Sequence, residues 1–447
     1  MWRLNRAGGF GRLGGMTLSG RFNTFQRTML LWDEMTAYNA VHVVRVPAAC
    51  DAERLTRTLA RVLQERGLTG FRIDAKGYGF DFRGGVASVE LAVCGASGDP
   101  HEVLRAEMER QINTRFDRGG EFTPLRFFAV PDGGSFWLGI AYFHAIADAE
   151  PIVRLACDLV AGYANAGEPA KLGRWECCAG AGGRGSWRPG LSMRKLLALP
   201  AQFRGIRTAI RPAGTDTDDF SNGLEIFTFS GGELDILIAV GRRLEVTVND
   251  LFLALLMHSL APLCEAAKRP GRDRVSLGCI VNARRDLGME GYGGFGLALG
   301  QFSVTCGLAE LSGVAPLARA IAKQTRRQKR AALYLANELE MGLVLRLMSL
   351  FSTDRRRRFY PKNYPLWGGL TNMNLKQLPM ESATMRPSDY LRTVSTGPVT
   401  PLVLSVTTFG KGVNLSMSYR TSVFPKPEIL AMRERFLAAL RGLEAVV

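Results

Sequence analysis

What this sequence lacks narrows its chemistry first. It has no C-x-x-C pair, and none of its eight cysteines stands at zinc-ligand spacing from a histidine, so no metal centre is expected. Cys177 and Cys178 are the only adjacent cysteines. Most of the others lie in apolar runs such as LAVC and LGCIV, and read as small buried hydrophobes in a reducing compartment. No apolar run approaches the roughly 20 residues that a membrane-spanning helix needs; the best is LFLALLM. The start, MWRLNRAGGFGRLGG, is basic and Gly-rich but lacks the continuous apolar stretch of a signal peptide. These absences predict a cytoplasmic protein, at most peripheral to a membrane.

Acidic residues are also short, 41 Asp and Glu against 57 Lys and Arg, for a formal charge of +16. That balance favours an acidic carrier protein, an anionic membrane surface, a phosphate-bearing molecule such as CoA, or nucleic acid, with an unpartnered solvated surface as the plain alternative. Nucleic acid ranks last, because no helix-turn-helix, zinc-finger or RNP pattern accompanies the basic stretches. Arg355 to Arg358 would suit phosphate groups, although charge runs are most simply solvated faces.

What is present is a long chain, 447 residues with 47% apolar content, enough for two domains of roughly 150 to 220 residues. After a basic leader over residues 1–20, element types interleave. A strand at VHVVRV is followed by a helix from Asp51 to Gly67, strands at GFRID and ASVELAV, a helix at HEVLRAEMERQINTRF, and strands at PLRFFAV and FWLGIAYF. Such interleaving predicts layered α/β units, the first spanning residues 21–165 and the second 216–447. Between them, residues 166–215 hold nine Lys or Arg against two Glu in a Gly-rich, Trp-bearing crossing segment. Within it, residues 193–211 space Leu196, Leu199, Phe203, Ile206 and Ile210 along one face among arginines. This is a basic amphipathic helix that either packs on the body or contacts a membrane.

The most informative stretch is SFWLGIAYFHAIADAEP, residues 135–151. It sets His144 where an apolar strand ends and a helix begins, with Asp148 four residues later. A lone histidine beside an apolar run is ordinarily structural, and Asp148 has its own plain role as the N-cap of the following helix. His42, His101 and His258 are poorer bases, lying in a strand, after a turn and on an apolar helix.

This His-x-x-x-Asp pattern resembles the signature of the CoA- and carrier-protein-dependent acyltransferase superfamily, which includes chloramphenicol acetyltransferase, BAHD acyltransferases, wax ester synthases, alcohol acetyltransferases and peptide-synthetase condensation domains. Further segments are similar to that superfamily in the same order: FDRGGEFTPLR at residues 116–126, VTVNDL at 246–251, VNAR at 281–284, residues 295–300, and residues 370–374. The sequence departs from the full pattern where Phe143 replaces a first histidine, Ala149 a glycine, Leu297 an asparagine and Asn374 a glycine, and the BAHD Asp-Phe-Gly-Trp-Gly segment is absent.

The resemblance implies two α/β sandwich subdomains, each like chloramphenicol acetyltransferase, forming a pseudo-dimer with a channel between them; a monomer is then plausible. It implies that His144 is a general base with a pKa near its ordinary value, and that a thioester on CoA or a phosphopantetheinyl carrier is co-substrate to an alcohol or amine. No prosthetic group or metal is implied. Asp148 is expected to pair with Arg284 and shape the site, with Arg285 as the fallback partner. Phe143, Ala149 and Asn282 also shape the site, and Thr371, Asn372 or a backbone N–H would meet the oxyanion. Two other readings stay open: a degenerate condensation-like module that binds a carrier or acyl chain without catalysis, and a basic membrane- or nucleic-acid-binding protein.

Overall fold

The helix Ala52–Arg66 shows how local sequence sets the elements. Asp51 caps its start by accepting from Arg54 N, and Gly67 ends it in the left-handed conformation at φ 74°. Between those caps Leu55, Leu59, Val62 and Leu63 recur at helical spacing and are buried. Truncating any one of the three leucines to alanine would cost about 2–5 kcal/mol. The strand Ser135–Phe143 is instead buried on both faces, which its near-continuous apolar run requires. Gly139 within it is dictated by packing, since a Cβ there would lie 2.1 Å from the Phe128 ring on the neighbouring strand.

This computed structural model describes residues 18–95, 98–165, 172, 175, 206–215, 218–287, 294–376 and 385–446. Residues 1–17 of the leader, the Cys177–Cys178 pair and residues 193–205 of the expected amphipathic helix lie outside them. Ile206 and Ile210, from the end of that helix, are described and buried. Leu18–Arg21 is a strand, paired antiparallel with Gly79–Phe82.

The protein is a mixed α/β fold of two units side by side. One sheet has five strands in the order Asp389–Val394, Asn39–Val46, Ser135–Phe143, Leu125–Asp132 and Leu91–Val93. A second has six, in the order Leu299–Gly307, Arg274–Asn282, Gly368–Asn374, Leu402–Phe409, Gly412–Arg420 and Asn222–Phe229, and a small third has four, in the order Leu18–Arg21, Gly79–Phe82, Phe71–Ile73 and Glu121–Phe122. Residues 216–447 do not stay on their own side. The strand Asp389–Val394 crosses to the first sheet and pairs antiparallel with Asn39–Val46, placing Arg392 opposite His42. Phe295, Leu297, Leu345, Met348 and Tyr360 likewise pack into the first unit's core.

Two helical runs of the second unit are broken. The run from Val248 stops at Ser259 and resumes as Ala261–Ala266, with Pro262 in the first turn, where a residue lacking N–H is tolerated. The basic run is split into Val314–Arg330 and Leu333–Ser349 by Ala332, which adopts φ 47°. No described helix is long and apolar enough to cross a membrane.

Candidate active site

The strand Ser135–Phe143 and the helix Ala149–Ala164 are joined by five residues, and hydrogen bonds hold each end of that turn. His144 N donates to Tyr38 O at 3.2 Å, and Ile146 N to Phe143 O at 3.0 Å. The imidazole Nδ1 lies 3.1 Å from Ala147 O. Because a carbonyl only accepts, Nδ1 carries the proton, and the lone pair is on Nε2. Tyr38 stacks on the ring at 5.6 Å and Tyr142 meets it edge-on at 5.7 Å.

The Asp148 carboxylate is held by the backbone and by one cation. It caps the helix through Glu150 N at 3.2 Å, accepts from Ala298 N at 2.8 Å, and receives Arg284 Nη2 at 2.9 Å on both oxygens. The Arg284 Nη2 also donates to Gly296 O at 3.1 Å, and its Nε lies 3.4 Å from Glu150 Oε2. Both side chains are 4% exposed. A carboxylate saturated in this way orients the turn under His144 and has no free lone pair facing a substrate. Arg285, the fallback partner, is exposed.

A cavity of about 210 Å³ opens where the two units meet. His144, Tyr38 and Tyr142 line it from the first unit, and Gly278, Leu370 and Thr371 from the second. The remaining wall is mostly apolar, including Phe25, Met29 and Met341. Gly278 and Gly369 are adjacent in register, and a Cβ on either would sit in ordinary van der Waals contact, its nearest neighbours at 3.5 and 3.6 Å. Ala149 lines the cavity beside His144.

Other residues named from the sequence sit elsewhere. Phe143 is fully buried behind the site, against Phe116 and Phe122, so it occupies core rather than channel. Asn372 is exposed, its amide donating to Asn249 at 2.7 Å. Strand alternation turns it to the opposite face from Thr371 and removes it as an oxyanion donor. Asn282 is exposed, contacting Glu150 Oε2 at 3.3 Å and accepting from Arg284 N at 2.9 Å; it supports the Arg284 turn from outside the cavity.

Burial pushes the His144 pKa down to about 4, outweighing the upward pull of its carbonyl hydrogen bonds, and Arg392 adds a further downward push. An ordinary pKa does not survive in this setting. The ring is neutral at pH 7 with a wide margin. His42, also on the cavity wall, is driven well below its usual range by burial, and its Nδ1 lies 2.7 Å from the Tyr390 hydroxyl. Sequence reasoning missed Tyr38, Tyr142 and Arg392. Aromatics in apolar strands look like core, and nothing in DYLRTV marks its arginine as reaching a cavity formed by residues 250 positions upstream. Among the described residues, no group of three or more His, Cys, Asp or Glu could hold a metal.

No protein-family model and no curated protein matches the sequence. Solved structures do match the fold. The chain is similar to SgcC5 protein from Streptomyces globisporus, solved with a naphthyl ethanediol, at 14% identity and TM-score 0.66, covering 95% of this chain and 98% of that one. It is similar to the starter condensation domain of rhizomide synthetase RzmA, in complex with C8-CoA and Leu-SNAC, at 13% identity and TM-score 0.66, with 96% and 95% covered. Polyketide synthase associated protein 5 from Mycobacterium tuberculosis matches at 14% identity and TM-score 0.62, with 94% and 98% covered. Along nearly its whole length, then, this chain carries the fold of the condensation domains, with His144 at the junction of its two units.

Proposed function

We propose that this protein is an acyltransferase that moves an acyl group from a CoA or carrier-protein thioester to an alcohol or amine, with His144 as general base. One observation carries the reading: a neutral imidazole lines the cavity between the units, its Nδ1 proton held by Ala147 O and its Nε2 without a protein partner among the described residues. In the reaction, Nε2 takes the proton from the acceptor O–H or N–H as the acceptor attacks the thioester carbonyl. The tetrahedral intermediate collapses, the C–S bond breaks, and the imidazolium returns the proton to the departing thiolate. No covalent acyl-enzyme is needed. A backbone N–H at the cavity wall would meet the oxyanion, and Asp148 with Arg284 holds the turn in shape.

The complex of the rhizomide synthetase starter domain with C8-CoA supports CoA as one donor class, and the net charge of +16 suits either CoA phosphates or an acidic carrier. The mostly apolar cavity suits an acyl chain. The test is thiol release from a panel of acyl-CoA and acyl-carrier donors, with and without pooled alcohols and amines. His144→Ala should lower acceptor-dependent release by roughly 10²–10⁴-fold. Thioester binding that is intact in both proteins, with no release from either, would favour a binding module instead.

A further inference from the structure

Among the described residues, two of the three buried arginines have an acidic group nearby, and the third, at the cavity, does not. Arg284 has Asp148, and Arg420 has the field of Asp219 and the Phe220 ring. Arg392, only 7% exposed, has four neutral acceptors: Thr407 Oγ1 at 3.1 Å, Thr371 Oγ1 at 3.2 Å, and the carbonyls of Thr371 and Val406, each at 2.9 Å. Among the described residues no carboxylate pairs with it, and the cavity it lines includes no Asp or Glu. Burying an uncompensated guanidinium is unfavourable, and burial lowers its pKa to about 10.

The unused hydrogens define what would complete it. Nη1 gives one hydrogen to Thr371 Oγ1 and keeps a second. Thr371 Oγ1 accepts that bond and keeps its own hydrogen to donate. Both residues line the cavity, so an N–H and an O–H stand side by side there, backed by a full positive charge. Two adjacent donors with a cation match the two oxygens of a carboxylate.

We propose that Arg392 and Thr371 form a carboxylate subsite and that a substrate of this channel carries a carboxylate group. The proposal rests on the acyl-transfer reading only in treating the cavity as a substrate channel. It also gives the charge a consequence: Arg392 pushes down the pKa of both His144 and His42, and a bound carboxylate cancels that push. His144 then becomes a stronger base when the anionic substrate is in place. The bonds from Arg392 also tie the crossing strand to Gly368–Asn374 and Leu402–Phe409; that tie by itself calls for no ligand preference.

The test compares octanoate with octanamide, binding measured calorimetrically at pH 8 on the full chain, for the wild type, Arg392→Lys, Arg392→Met and Thr371→Val. The wild type should bind octanoate roughly ten-fold or more tightly than octanamide. Arg392→Met should lose the preference, Arg392→Lys keep part of it, and Thr371→Val reduce it. By NMR, the His144 ring should titrate at higher pH with octanoate bound and not with octanamide. Equal affinity for acid and amide in the wild type would overturn the subsite, as would an unchanged preference in folded Arg392→Met. So would variants that lower turnover while leaving the preference intact, which would assign the cation to the oxyanion instead. If Arg392→Met does not fold, the wild-type pair and Thr371→Val still decide. Because binding is read apart from thiol release, a failed subsite and a failed acyl-transfer assignment are distinct results.

Discussion

His144 shows how a residue's surroundings reset its chemistry. Its folded pKa of about 4 lies below the unfolded value near 6.5, so the unfolded chain binds more protons between those limits. The neutral ring's contribution to stability is therefore present above about pH 6.5 and lost as pH falls towards about 4, and His42, shifted in the same direction, adds to the loss. Urea midpoints should fall across that window, and His144→Gln should flatten the slope. For activity, the acid limb of kcat/KM in the free enzyme should sit near pH 4 rather than 6.5, because only protonation of Nε2 removes the base. A limb near 6.5 in the profile would show that the ring is solvated and titrates normally.

The Asp148–Arg284 pair makes a second prediction at this scale. Removing one partner leaves the other buried and charged, so Arg284→Met should destabilise by about 3–5 kcal/mol. Adding Asp148→Leu removes the orphaned charge and should restore part of that loss, although Ala298 N and the helix N-terminus then lose their acceptor. Denaturant titration of both singles and the double measures the coupling. Loss in the double mutant equal to the sum of the two singles would show that the pair is not coupled.

Among elements, legibility followed the locality of the cause. Asp51 and Gly67 bound their helix because capping and left-handed backbone are decided within four residues. The strand leading to His144 was legible from its apolar run. The break at Ala332 was not, since an alanine at φ 47° contradicts its local preference and is held by its surroundings. Asn372 and Thr371 were indistinguishable as oxyanion donors in sequence. Which face of Gly368–Asn374 meets the cavity depends on strand register with Arg274–Asn282 and Leu402–Phe409, and that register turned Thr371 inward.

Across the whole molecule, the crossing strand matters most. Asp389–Val394 completes a sheet built otherwise from residues before 144, and Arg392 on it bonds to two strands of the opposite sheet. The first unit lacks one of its strands without the second. Thermal or urea unfolding should therefore proceed as a single cooperative transition, coincident by far-UV circular dichroism and tryptophan fluorescence. Two separated transitions would show that the units are stable independently.

The sequence by itself determined the interleaved α/β layers, the position of His144 at a strand-to-helix turn, and the order of motifs that pointed to Arg284, because these rest on periodicity, caps and chain order. Only the tertiary structure decided the tautomer and depressed pKa of His144, the inward face of Thr371, and the presence of Arg392 at the cavity. Those depend on desolvation and on contacts between residues hundreds of positions apart, which no local pattern encodes.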